Sequence, residues 1–209
     1  MSSPDAKTDP KSGPRGLHPT GRTPSVCVYC GAKPGRNPAF RAAAEAFGAG
    51  LAGRGWRLVY GAGDLGLMGA VATACLDAGG EAFGVIPQGL WEREIAKRDL
   101  PHVVVAESLH QRKSLMLRNA DAVAVLPGGL GTLDEIAECV TWAQLGIHAK
   151  PIVMLDAEGY WGPLRALFDH MADQGFLHSG LERHLLWADD AAGALALLEA
   201  EIAGAPPLL

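Results

Sequence analysis

The chain predicts a three-layer α/β domain, a mostly parallel sheet of about seven strands flanked by helices on both faces. Three observations carry this. Short apolar runs alternate with longer helix-like stretches from Ser25 onward. The apolar runs are continuous, as strands covered on both faces must be, and do not alternate polar with apolar. Two glycine clusters sit where a strand-like run passes into a helix-like one. Repeated βα alternation leads to parallel strands joined by right-handed crossovers.

The elements follow in order. SVCVYC (25–30) is the first strand, and the Ala-rich segment 38–53 the first helix. WRLVY (56–60) leads through glycines to a helix over 67–78. AFGVI (82–86) and HVVV (102–105) are strands, the second followed by a helix over 108–119. DAVAVL (121–126) precedes a helix over 132–145, and PIVML (151–155) one over 161–174. HLLW (184–187) is a weaker strand before a last helix over 189–202. Ligands of such sheets bind beyond the carboxyl ends of the strands, which directs attention to the loops after residues 30, 60, 86 and 126.

Residues 1–24 are of another kind. They are rich in Pro, Gly, Ser, Thr and charge and hold no apolar run. Such a segment buries too little surface to offset its ordering entropy, so a disordered tail is expected there, with a single domain over 25–209. The segment lacks the apolar centre of a signal peptide, and no run of about 18 apolar residues occurs. A cytoplasmic protein with no membrane partner is expected. The net charge of −5, with Lys and Arg scattered, gives no footprint for a nucleic acid.

Cys27 and Cys30 form a C-x-x-C, but on a strand residues three apart point to opposite faces. No second cysteine or histidine pair completes a metal site. They read, with Cys75 and Cys139, as buried structural thiols, and no metal is expected.

Gly61-x-Gly63-x-x-Gly66, after WRLVY, spells the dinucleotide-binding fingerprint. Its setting argues against that ligand. It follows the second strand instead of the first, and Glu81 precedes the next strand instead of ending it. The second cluster, Pro127-Gly128-Gly129-Leu130-Gly131-Thr132, runs from DAVAVL into a strong helix. Backbone N–H groups there can approach a ligand closely, and the helix aims its positive end at an anion. Thr132-x-x-Glu135 also reads as a capping box, with Thr132 as N-cap and Glu135 three residues on. Arg112 and Lys113 lie in the helix over 108–119, where neighbours diverge by roughly 100°, so one can reach a ligand while the other stays at the rim.

Together Arg112-Lys113 and Pro127-Gly128-Gly129-x-Gly131-Thr132-x-x-Glu135 resemble the Lonely-Guy family of cytokinin-activating phosphoribohydrolases. Members of that family have often carried the label lysine decarboxylase. The resemblance extends to Tyr60-Gly61-x-Gly63, Gly66-Leu67-Met68-Gly69, Ile86-Pro87, Arg93-Glu94 and Thr141-Trp142-x-Gln144-Leu145-Gly146-Ile147-His148, covering residues 25–200. It implies a Rossmann-like fold, usually a homodimer with the active site near the subunit interface, and no NAD, flavin or metal cofactor. The implied reaction is hydrolysis of the N-glycosidic bond of a nucleoside 5′-monophosphate, a cytokinin riboside or AMP-like nucleotide, to free base and ribose 5-phosphate. The implied catalytic pair is Arg112 and Glu135. The implied substrate-binding positions are Glu94, Arg112, Lys113, Gly129, Leu130, Gly131, Thr132, Glu135 and Thr141, to which the loop reading adds Gly128, Gly61 and Gly63. The family commonly has three glycines where this chain has Gly61-Ala62-Gly63, and Cys-Gly-Ser-Ser where it has Cys30-Gly31-Ala32-Lys33. Both departures bear on substrate preference.

Cleavage of a ribosyl C–N bond passes through an oxocarbenium-like state, which a nearby carboxylate stabilises while activating water. Glu135 fits that role, and Arg112, always protonated, fits holding the ligand and Glu135 in register. The alternatives are a non-catalytic nucleotide- or molybdenum-cofactor-binding protein and an NAD(P)-dependent oxidoreductase. Presence of both Arg112 and Glu135 argues against the first.

Overall fold

The structure, a computed structural model, describes residues 22–92, 97, 100–177 and 185–204. Seven strands form one sheet: β1 (Ser25–Tyr29), β2 (Arg57–Tyr60), β3 (Glu81–Pro87), β4 (His102–Ala106), β5 (Ala122–Val125), β6 (Ile152–Leu155) and β7 (Leu185–Ala188). Their order is β4-β3-β2-β1-β5-β6-β7, and every described pairing is parallel. The three-layer expectation holds, and all seven strand segments appear where the apolar runs lie.

The helices are α1 (Pro38–Gly53), α2 (Gly66–Asp77), the short α3 (Gln88–Trp91), α4 (Leu109–Arg118), α5 (Leu130–Gln144), α6 (Gly162–Asp173) and α7 (Ala191–Gly204). The sequence pattern did not indicate α3, nor a 3₁₀ turn at Ala157–Gly159; one-turn elements leave no hydrophobic period to read. α1 starts where its chemistry demands: the Asn37 side chain accepts the Ala39 N–H at 3.0 Å and Pro38 opens the first turn.

Period-2 geometry divides the core. Val26, Val28 and Cys30 face α1, α2 and α7, in a cluster with Phe47, Leu51, Val71 and Leu195. Cys27 and Tyr29 face the other way, with Met116 of α4, Ile136 and Val140 of α5, and Trp161. Cys27 and Cys30 therefore lie on opposite sides of the sheet, and all four cysteines are free and buried. Burial pushes the Cys30 thiol well above its ordinary range and Cys139 up to about 12, so neither is a thiolate near neutrality.

Residues 22–24, the last of the expected tail, are among the described residues. Arg22 pairs with Asp121, and the Pro24 carbonyl accepts the Arg57 N–H at 2.8 Å, so the hydrogen bonding between β1 and β2 continues back one residue to Pro24. The rest of the expected tail, residues 1–21, lies outside the described residues, as do Arg93, Glu94 and His184. Among the described residues no helix is long and apolar enough to cross a membrane.

Candidate active site

Strand order reverses between β1 and β5, and the loops leaving these two strands diverge there to opposite halves of the sheet. Their register pairs Tyr29 with Val125, so Gly31 and Pro127 emerge side by side, and the Gly31 N–H donates to the Pro127 carbonyl at 3.0 Å. This is the crevice in which open α/β sheets bind ligands. The second glycine loop lies in it. The fingerprint loop lies one strand away, after β2.

α5 begins earlier than its side chains suggest. Gly129, extended at φ −105° and ψ −152°, is the N-cap, and the first intrahelical bond runs from the Leu133 N–H to the Gly129 carbonyl at 3.0 Å. The capping-box reading is thus corrected: Thr132 is not the N-cap but the third helical residue, and Glu135 lies a turn further in. The physical reason is that Gly128 and Gly129 let the chain enter the helix before any capping side chain is needed. Thr132 is buried instead, with its hydroxyl where a Gly128 methyl would come within 2.1 Å of it. The geometry leaves the N–H groups of Gly129, Leu130, Gly131 and Thr132 without intrahelical partners. Gly129, Leu130 and Gly131 are exposed, so the positive end of α5 opens to solvent.

Glu135, released from capping, is buried on the inner side of α5, and its Oε1 lies 3.9 Å from Arg112 Nη2. Arg112 comes from α4 and is anchored from behind. Its Nε donates to the Val85 carbonyl at 3.2 Å and its Nη2 to the Gly61 carbonyl at 3.3 Å. One planar fork thereby joins β3, the end of β2 and α5, which an ammonium could not do. Desolvation raises the Glu135 carboxyl to about 7; Arg112 and, more weakly, Lys113 pull it down, while Asp134 adds to the rise. A carboxyl poised there is a proton acceptor matched to neutral pH.

The fingerprint glycines turn out to serve this arrangement. A methyl on Gly61 would lie 1.6 Å from Arg112 Nη2, so the missing side chain is the space the guanidinium occupies. Gly66, at φ +64°, would set a methyl 2.3 Å from the Ala32 backbone, where the loop after β1 crosses the start of α2. Gly63 packs toward Met68. These glycines face protein atoms, whereas a dinucleotide fingerprint needs its second glycine facing a pyrophosphate.

The sequence-predicted residues divide accordingly. Arg112, Glu135, Gly61, Gly128 and Thr132 come together, with Gly129, Leu130 and Gly131 at the open helix end. Lys113 diverges from Arg112 as helical geometry requires, and bonds Asp134 at 2.9 Å and Glu138 at 3.2 Å. Thr141 is exposed on α5, and its hydroxyl donates to the Ala137 carbonyl at 2.7 Å, away from Glu135. Gly63 stays on the β2 side of the crevice, and Glu94 lies outside the described residues. Among the described residues no cluster of three His, Cys, Asp or Glu side chains is arranged to hold a metal.

Sequence reasoning missed two contributors. The carbonyls of Val85 and Gly61 hold Arg112, and backbone groups carry no side-chain signal. Tyr160, whose hydroxyl donates to the Gly128 carbonyl, follows β6, a strand whose carboxyl-end loop was open to inspection on topology alone.

A family model described as "Possible lysine decarboxylase" matches residues 68–198. A probable cytokinin riboside 5′-monophosphate phosphoribohydrolase of Oryza sativa subsp. japonica is 42% identical over 181 residues, covering 87% of this chain and 81% of that one. A cytokinin riboside 5′-monophosphate phosphoribohydrolase of Arabidopsis thaliana is 42% identical over 174 residues, covering 83% and 80%. Among solved structures, the molybdenum cofactor carrier protein of Chlamydomonas reinhardtii superposes with TM-score 0.66 at 23% identity, over 87% of this chain and 99% of that one. The molybdenum cofactor binding protein of Rippkaea orientalis superposes with TM-score 0.67 at 20% identity, over 86% and 97%. At those identities the two structures share the Rossmann-like fold with this chain.

Proposed function

This chain belongs to the "Possible lysine decarboxylase" family, the Lonely-Guy family, and from that premise we propose that it hydrolyses the N-glycosidic bond of a nucleoside 5′-monophosphate. The substrate is a cytokinin riboside 5′-monophosphate or AMP-like nucleotide, and the products are free base and ribose 5-phosphate. One observation carries this: a buried carboxyl raised to about 7, 3.9 Å from a fixed guanidinium, beside an open helix N-terminus.

The N–H groups of Gly129 to Thr132 anchor the 5′-phosphate, and that remote binding energy orients the ribose. The C1′–N bond breaks with its electron pair leaving on the base, and positive charge develops at C1′ and the ring oxygen. The Glu135 carboxylate stabilises that charge and takes a proton from water as the water oxygen bonds to C1′. The departing base nitrogen takes up a proton from solvent water and Glu135 releases its own to solvent, so one water is consumed for each bond broken. Arg112 stays charged throughout and holds Glu135 at its station.

The test is a panel of nucleoside 5′-monophosphates with the matching nucleosides, following ribose 5-phosphate. Phosphorylated substrates should be cleaved and nucleosides should not. Glu135→Gln should keep fold and ligand binding and lose most turnover; wild-type rates in that variant would refute the role given to Glu135.

The reading includes a cytoplasmic homodimer with the active site near the interface. Leu130 at 85%, Leu145 at 68% and Ile147 at 63% exposure place apolar side chains at both ends of α5, and Thr141 lies outside its own chain's crevice. Light scattering on the purified chain should give twice its 21.8 kDa mass, and an Ile147→Glu, Leu145→Glu variant should fall to the monomer.

A further inference from the structure

The loop after β6 holds none of the catalytic or substrate-binding positions named above, yet it reaches the anion cradle. Asp156 Oδ1 accepts the Trp161 N–H at 2.5 Å, closing the loop on itself. Within it Glu158, at φ +56°, and Gly159, at φ +67°, are both left-handed. A non-glycine residue seldom adopts that conformation, and it is tolerated where the surroundings dictate the path. The outcome is the placement of Tyr160. Its ring stands edge-on to Phe40 at 5.2 Å and to Trp161 at 4.8 Å, and its hydroxyl donates to the Gly128 carbonyl.

That carbonyl belongs to the peptide whose N–H is Gly129's, the first donor of the cradle. One residue earlier, the Pro127 carbonyl accepts the Gly31 N–H. Both carbonyls of the loop are therefore held by donors from other segments. A peptide is planar and its C=O and N–H point in opposite directions, so tying the Gly128 oxygen sets the direction of the Gly129 N–H. Gly128 and Gly129 on either side make rotation of this peptide cheap unless something prevents it. A rotated peptide would turn an oxygen toward the anion and remove a donor.

We propose that Tyr160 is a positioning residue for the phosphate cradle, its hydroxyl holding the Gly128–Gly129 peptide so that the Gly129 N–H faces the 5′-phosphate. The proposal rests on the nucleotide reading of the crevice given above. It concerns the hydroxyl alone, since the ring has its own packing with Phe40 and Trp161.

The test uses the full chain and Tyr160→Phe, which keeps the ring and loses the donor. Binding of ribose 5-phosphate, measured by titration calorimetry, should weaken roughly threefold to tenfold, the equivalent of one net hydrogen bond. KM for the nucleotide should rise by a similar factor with kcat within about twofold, because the other cradle N–H groups still orient the ribose and the Gly129 contact is made alike in bound substrate and transition state. Unchanged ribose 5-phosphate affinity, or a fall in kcat at constant KM, overturns the proposal. A wild-type chain that binds ribose 5-phosphate but hydrolyses no nucleotide would refute the hydrolase reading while the calorimetric comparison still decides the role of Tyr160.

Discussion

Replacing Glu135 by Gln should stabilise the protein at alkaline pH while abolishing its turnover. The carboxyl titrates at about 7 in the native chain against an ordinary 4.5, because burial disfavours its ionised form. The native state therefore binds this proton more tightly than the unfolded chain does, and wild-type stability falls as pH rises from 4.5 through 7. Below 4.5 both states are protonated and the penalty vanishes. At 1.36 kcal/mol per tenfold, the penalty grows by about 2.5 kcal/mol between pH 5 and pH 8. Glutamine carries no such proton, so Glu135→Gln lacks this slope. Urea unfolding of both proteins at pH 5, 6, 7 and 8 isolates it, since every other titrating group is common to the two. The stability difference, variant minus wild type, should move in the variant's favour by about 2.5 kcal/mol across that range. A difference that stays constant from pH 5 to pH 8 would show that Glu135 is not held protonated by burial, and would remove the basis for its role as a neutral-pH base.

Other outcomes follow from the same geometry. kcat/KM of the wild type should rise with pH through about 7 as Glu135 ionises; a profile flat from pH 5.5 to 8.5 would exclude Glu135 as the base. Arg112→Gln removes the charge that holds that carboxyl down, so its titration, followed by carbon-13 NMR, should move to higher pH. Gly61→Ala puts a methyl 1.6 Å from Arg112 Nη2 and must displace the guanidinium, so kcat should fall on the order of 10²-fold with the far-ultraviolet spectrum unchanged. Ala62, buried at φ +56°, sets a left-handed cost of about 1–2 kcal/mol against a buried methyl and the unfolded-state freedom of glycine, together about 1.5 kcal/mol. Ala62→Gly should consequently change stability by less than about 1 kcal/mol in urea unfolding.

The strands were legible because each is a continuous apolar run, buried throughout in β1, β5 and β6 and partly exposed only toward the sheet's edges, and β1 to β7 follow those runs within a residue or two. α3 and the turn at Ala157–Gly159 were not, since a single turn has no period. α5 shows how a local rule misleads. Thr132-x-x-Glu135 satisfies the capping box, but Gly128 and Gly129 start the helix sooner and turn both side chains inward. The dinucleotide fingerprint misleads in a parallel way. Gly61 and Gly66 are needed for close approach, of Arg112 in one case and of the Ala32 backbone in the other, and a glycine does not reveal what approaches it.

By itself the sequence determined the parallel sheet, the two glycine loops at strand ends, the opposite facing of Cys27 and Cys30, and the divergence of Arg112 from Lys113. The first two follow from continuous apolar runs and the placing of glycines between them, the last two from local periods of 2 and 3.6 residues. Only the tertiary structure decided that Arg112 of α4 crosses to the Val85 and Gly61 carbonyls, that Glu135 faces it in a buried setting, and that Tyr160 holds the Gly128 peptide. Those contacts join residues 23 to 51 positions apart through backbone oxygens and desolvation. Neither a carbonyl's direction nor the loss of water around a carboxyl is written in any short stretch of chain.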